Sequence, residues 1–375
     1  MTPRRAARLP DLLALAALAV ALPGLWIAPR MFFASWLCAW WFCTGATMGA
    51  LASAWIHALT GGRWGAALRR AVLPLARRLP WLLLLFLPMA AGLARVFPWA
   101  GDSGAWTRDI DLPAFPRAWY APGLFWLRLA AIGAAWWWIA RPATFARKGR
   151  VAAALVIYAA TGTLLAIDLV VSLVPGWYST GHGLVNLGGG ALGGAAFAVL
   201  AVACRAPRAF PSPPPRPARA RVPPVWRDLG NLLLMWLLLW AYVAFLEFLI
   251  IWAENLPREV AWIVPRAAGG WALVGAALAA LQFGACFVAL LFRAVKDVPR
   301  RLAGVAAALL AGQLLNTAWL ILPSVDPHAL AGWWLVPALA VAIGLPVAAR
   351  AWREVDDAQD APAPPPARAP EAVHA

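Results

Sequence analysis

The sequence predicts an all-α, polytopic membrane protein of about ten transmembrane helices. Three observations carry this. Of 375 residues, 63% are hydrophobic, against about 45–50% in a soluble globule. The apolar residues fall in runs close to the 20 or so that a helix needs to cross a bilayer core. The basic excess, a formal charge of +16, sits in short clusters between those runs, as the positive-inside bias requires. That placement argues against a nucleic-acid partner and for the lipid bilayer. The 25 Trp suit aromatic belts at the membrane interfaces.

The chain opens with bases and an apolar run, as a signal peptide does. More apolar spans follow and the site after Val20 is a poor cleavage site, which favours a retained first helix. The second span, Met31 to His57, ends in HALTGGRWG, with a turn at Gly61 and Gly62. Arg63, Arg69, Arg70, Arg77 and Arg78 precede a third span, Leu79 to Phe97. A polar loop from Pro98 to Pro122 sets Arg108 and Arg117 against Asp102, Asp109 and Asp111. The fourth span covers Gly123 to Ala140 and the fifth Val151 to Val174. In the sixth, Gly183 to Cys204, a glycine-rich run allows close helix contact.

Residues 206–227 form a Pro/Arg-rich linker, expected to be extended, between an N-terminal half (1–205) and a C-terminal half (228–352). The seventh span, Leu229 to Trp252, keeps Glu247 inside its apolar run and is ended by Asn255 and Pro257. The eighth runs from Trp271 to Phe292, the ninth from Ala303 to Leu322, the tenth from Ala331 to Ala349. Residues 353–375, rich in Ala, Pro and acid, read as a disordered tail. Loops after even-numbered spans are basic and the alternate loops nearly neutral, Arg258 and Arg266 offsetting Glu254 and Glu259. Both termini are therefore expected in the cytoplasm.

Charges inside a bilayer are costly, so those that remain mark functional interiors. At a rise of 1.5 Å per residue, Asp168, Arg128 and Glu247 each lie about 8–9 Å in from the outer end of their spans. Asn316 precedes Pro323 by the same interval as Asp168 precedes Pro175. This parallel hints at a repeat four helices long, hence two four-helix bundles, spans two to five and six to nine, flanked by the first and tenth. Tyr158, Thr161, Asp168 and Ser172 share one face of the fifth span, as a proton or water path would. The plain alternative for Glu247 is an ion pair with another helix. His57, at the inner end of the second span with Ser53 one turn earlier, reads either as a relay or as a helix-terminal cap.

No CxxC or CxxCH occurs, and Cys38, Cys43, Cys204 and Cys286 all lie in apolar segments. His57, His182, His328 and His374 are not placed as paired haem ligands. No metal or cofactor is expected in this chain.

Several motifs carry a resemblance: HALTGGRWG, RAWY with FWLR at the start of the fourth span, IDLVVSLVPGWYSTGHG, DLGNLLLMWLLLWAYVAFLEFLIIWAENLPREV and a later GGW. Together they resemble the ActF-type membrane subunit of bacterial alternative complex III, a quinol:cytochrome c oxidoreductase. The resemblance spans His57 to Trp271. It implies a cofactor-free, multi-pass subunit of the inner membrane, supporting quinol oxidation and proton translocation without being catalytic alone. It implies multihaem cytochrome, iron–sulfur and NrfD-like membrane subunits as partners, which would hold the haem, iron–sulfur and quinol sites. Asp168 falls on the family's Asp in its D-W-x-x-S-L segment, and Arg128 on the Arg of the fourth span. Leu169 replaces the usual Trp, Asn316 stands at an acidic position, and His57 keeps half of a His-His-like pattern. Glu247 occupies a position commonly small and polar, where it can substitute for the missing carboxylate. The competing expectations are a secondary transporter, with helices broken at mid-bilayer, and a purely structural membrane subunit.

Overall fold

The computed structural model describes residues 3–101, 105–107, 114–205, 225–326 and 332–360. The first part of the chain forms α1 (Pro3–Ala21), α2 (Pro29–Thr60), α3 (Trp64–Ala76), α4 (Leu79–Leu84), α5 (Met89–Val96) and α6 (Pro122–Ile139). Then come α7 (Lys148–Leu169), α8 (His182–Ala203), α9 (Val225–Glu254), α10 (Gly269–Leu291), α11 (Pro299–Val325) and α12 (Leu335–Asp360). No strand occurs among the described residues. Seven helical segments are long and apolar enough to cross a membrane: Leu9–Ile27, α7 with its extension to Leu173, α8, α9, α10, α11 and α12 to Glu354. The protein is an all-α, multi-pass membrane protein.

The other three expected spans are helical but differ, each for its own reason. Helix α2 has 32 residues and buries most of them, including Ser35, Thr44, Thr47 and Ser53. A helix enclosed by protein needs no apolar outer surface. The third expected span is split, α4 stopping at Leu84 and α5 starting after Pro88, whose ring and missing N–H interrupt a helix. Indoles take the carbonyls at the break: Trp40 Nε1 donates to Leu82 O (2.6 Å) and Trp36 Nε1 to Leu85 O (2.9 Å). Backbone groups at membrane depth need such partners. Helix α6 has 18 residues, apolar apart from Arg128, and carries four tryptophans.

In the first half, α2 packs on α4, α5 and α7, and α6 on α4 and α7; in the second, α8 packs on α9 and α11, and α10 on both of those. Helices α1 and α12 pack on each other, and α12 also on α2. Helix α11 packs on α2 as well, and the most extensive helix contact, α2 with α8, joins the two halves. Here backbone meets backbone. A Cβ at Gly49 would lie 2.1 Å from Gly190 O, and one at Gly194 2.2 Å from Ala50 N, so only glycine permits this approach.

Two boundaries move. Helix α9 begins at Val225, inside the stretch read as linker, and Arg227 in its first turn donates to both Asp297 carboxylate oxygens. At the far end α12 continues to Asp360, past the Arg353 boundary of the expected disordered tail, with Glu354 paired to Arg77 and Arg78. Helix α9 stops as expected: Asn255 takes a left-handed φ of 48° and Pro257 starts a new turn. Linker residues 206–224, residues 361–375, Asp102, Arg108, Asp109, Asp111, His328 and His374 lie outside the described residues. Of the expected polar loop, Arg117 is described, and it donates to Thr107 Oγ1 at 2.8 Å.

Candidate functional site

Asp168 sits in the last turn of α7 and Arg128 in the second turn of α6, two helices that pack together. Arg128 Nε donates to Asp168 Oδ2 at 2.7 Å, and the two side chains are 11% and 3% exposed. Trp119 completes the setting. Its Nε1 donates to Asp168 Oδ1 (2.9 Å), its carbonyl accepts from Arg128 Nη1 (3.1 Å), and its ring lies 4.0 Å below the guanidinium. A buried charge tolerates its site only when paired and hydrogen-bonded in this way.

Glu247 has different partners. Its carboxylate accepts from Ser179 Oγ and faces His182 Nδ1 at 3.1 and 3.3 Å. His182 is the first residue of α8 and is fully buried, its ring set edge-on to Trp177 and Trp262. Those two indoles stack 4.3 Å apart, Trp177 Nε1 donates to Glu259 O, and Arg258 Nε donates to Gly176 O. The 174–181 connection is thus held against the segment after α9, which brings Ser179 and His182 to the carboxylate. Because that connection joins the end of α7 to the start of α8, the two acidic sites stand at the same end of the two halves. Among the described residues no hydrogen-bonding side chain is common to both.

Arg266, read from sequence as a loop charge offsetting the outer acids, is 1% exposed. It donates to the carbonyls of Trp262, Trp319 and Leu320 and to Ser324 Oγ, and its guanidinium lies 3.3 Å from the Trp262 ring centre. Arg128 and Arg266 are thus each laid over a tryptophan and bonded to a neighbouring helix, Arg128 to the Asp168 carboxylate of α7 and Arg266 to carbonyls and Ser324 of α11.

The remaining predicted residues divide. Asn316 and Tyr158 line one cavity of about 30 Å³ between the halves, with Trp41, Asn186, Gln313 and Thr317. That is room for one or two waters. Gln313 Nε2, buried there, has no partner among the protein groups, and Asn316 Nδ2 reaches Gln313 Oε1 at 3.4 Å. Asn186 lies one turn after His182, its Nδ2 donating to the His182 carbonyl and its Oδ1 accepting from Trp41 Nε1, both at 2.9 Å. Thr161 accepts from Trp136 Nε1 and donates to Ile157 O. Ser172 donates to the Asp168 carbonyl and accepts from Trp99 Nε1. No hydrogen bond joins Tyr158, Thr161, the Asp168 carboxylate and Ser172 to one another, so the stripe is not a continuous chain. His57 lies in the last turn of α2, its Nε2 2.8 Å from Gly62 O and its ring against Gly65 and Trp64. It closes the turn after α2 and stands apart from both acidic sites.

Sequence reasoning missed Ser179, His182, Arg266, Trp119 and Gln313. A signal existed for the first two: STGH lies at the outer end of a span, the end towards which Glu247 stands. Among the described residues no group of three or more His, Cys, Asp or Glu side chains gathers as metal ligands do. The fold and these sites define a class, a polytopic helical membrane protein with two buried carboxylate centres at one end. Comparison with protein-family models and with curated proteins gives no match.

Proposed function

We propose that this chain is an ActF-type membrane subunit of a bacterial quinol:cytochrome c oxidoreductase of the alternative complex III kind. In this reading it lies in the inner membrane with both termini cytoplasmic, beside multihaem cytochrome, iron–sulfur and NrfD-like subunits that hold the redox groups. The observation that carries the proposal is the Glu247–His182–Ser179 centre. A carboxylate and an imidazole in contact, both shielded from solvent, exchange a proton without moving either side chain. One turn further along α8, Asn186 lines a polar cavity where waters have room. The long motifs from HALTGGRWG to NLPREV, which contain Asp168, His182 and Glu247, support the same reading. A secondary transporter is less well supported. Its broken helix would present open carbonyls to a substrate, whereas Leu82 and Leu85 are capped by Trp40 and Trp36.

The test is affinity purification of the full chain from native membranes in mild detergent. A stoichiometric multihaem cytochrome and an iron–sulfur protein should accompany it, and the eluate should reduce cytochrome c with quinol. Purification as a homogeneous single-subunit species, with wild-type respiration in a deletion strain, would overturn the proposal.

A further inference from the structure

Helices α11 and α12 both lean on α2 but stand apart, leaving an apolar groove of about 390 Å³ between them. Cys43 and Thr47 of α2 form its floor, Leu310 and Leu314 one wall, Val341 and Leu345 the other. On α12 the lining extends from Pro337 to Ala348, about 17 Å of helix. Ala311 and Val341 at the mouth are exposed, so the groove opens sideways from the protein, towards lipid.

Bilayer tails are as apolar as these walls, so hydrophobicity cannot select an occupant; a tail simply fills what would otherwise be a void. Selection has to come from the groove's end, and there the lining elements turn basic together. Leu75 is followed by Arg77 and Arg78, and Leu200 by Arg205. Arg77 and Arg78 share Glu354. Arg205 lies 4.1 Å over the Trp352 ring. Three guanidiniums thus gather towards one end of the apolar slot, against a single carboxylate. Guanidinium forks match phosphate oxygens, and each base near a membrane surface favours anionic lipid.

We propose that this groove is a binding site for one anionic phospholipid, an acyl chain lying between α11 and α12 and the phosphate among Arg77, Arg78 and Arg205. The site is independent of the respiratory reading above and would hold whatever complex the chain joins. The headgroup lies where α12 and α8 both pack on α3, and the acyl chain fills the gap between α11 and α12.

The test places the full-length chain in nanodiscs of equal phosphatidylglycerol and phosphatidylcholine, then extracts it in mild detergent for native mass spectrometry. Wild type should retain one phospholipid per chain, phosphatidylglycerol favoured about tenfold. Arg77→Gln/Arg78→Gln should still retain a lipid but lose that preference. Ala311→Trp, which fills the mouth, should lose most retained lipid of either kind, with an unchanged elution volume showing that it folds. The wild-type measurement decides by itself if a variant fails to fold. Equal retention of the two lipids, an isoprenoid quinone in their place, or no bound lipid would each overturn the proposal.

Discussion

Asp168 and Glu247 are both buried carboxylates, yet their partners make different substitutions informative. Asp168 neutralises Arg128, so Asp168→Asn leaves a buried guanidinium without its counter-charge, at a cost of about 3–5 kcal/mol. A clear drop in melting temperature is expected, and it confounds any loss of turnover. Asp168→Asn/Arg128→Gln removes both charges and should recover most of that stability. If Asp168 passes protons, quinol-driven proton release in vesicles stays impaired in the stable double variant; wild-type rates there would assign the pair to structure alone. Glu247 offers the cleaner experiment. Glu247→Gln keeps an oxygen to accept from Ser179 and His182 while removing the ionisable proton. We expect assembly and melting temperature near wild type with slowed turnover. Unchanged quinol oxidation and proton release in the Glu247→Gln complex would rule out the proton-exchange role.

Between helices, the decisive contacts are glycine against backbone in the membrane and ion pairs at its edge. At Gly194 an added Cβ meets Ala46 O at 2.3 Å and Ala50 N at 2.2 Å. Neither atom belongs to a side chain that can swing aside. Gly194→Ala should therefore destabilise by about 1–3 kcal/mol or more through overpacking. Gly304 in α11 has nothing near its Cβ position, and Gly304→Ala should be neutral or stabilising by up to about 1 kcal/mol. Thermal unfolding of the two variants in one detergent gives the comparison, and similar melting temperatures would contradict the close-packing account. Between α10 and α11, the Arg227 hydrogen bonds hold the Asp297 carboxyl below its ordinary range. A depressed carboxyl stabilises the fold above its unfolded pKa of about 3.9, and that contribution disappears as pH falls through the lower folded value. Asp297 is partly exposed, so the contribution is about 0.2–1 kcal/mol. Asp297→Asn should lower the melting temperature slightly at pH 7, with the difference from wild type vanishing well below pH 4; a constant difference would contradict this.

For the whole molecule, orientation is the consequential prediction. Most arginines, among them Arg63, Arg77, Arg78, Arg205 and Arg227, gather at one end of the helices, while Ser179, His182 and Glu247 stand at the other. By the positive-inside bias the acidic centres face outward. Reporter fusions at Pro213 and Ser179 should give cytoplasmic and external signals respectively. Reversal would put both centres on the cytoplasmic side and remove the outward proton release from the proposal. The α2–α8 contact joins the halves through bare backbone, so motion of one against the other would have to break that contact.

Apolar run length and charge placement were legible in one dimension, because a helix needs only its own residues to satisfy its backbone. Hence the all-α membrane class, the end of α9 at Asn255 and the shared level of Asp168 and Arg128 could be read directly. The Gly188–Gly194 run likewise announced a close helix contact, though not that α2 would be the partner. Rise per residue gives depth but not the neighbour that a side chain faces. Glu247 therefore looked like a companion of Asp168 and Arg128, while the fold gives it His182 and Ser179. Arg266 looked like a loop charge because its acceptors are backbone carbonyls, which no residue type advertises. The sequence determined that Asp168, Arg128 and Glu247 stand inside apolar helical runs. The tertiary structure decided their pairing, since that depends on helix rotation and on how the 174–181 connection folds back over α9.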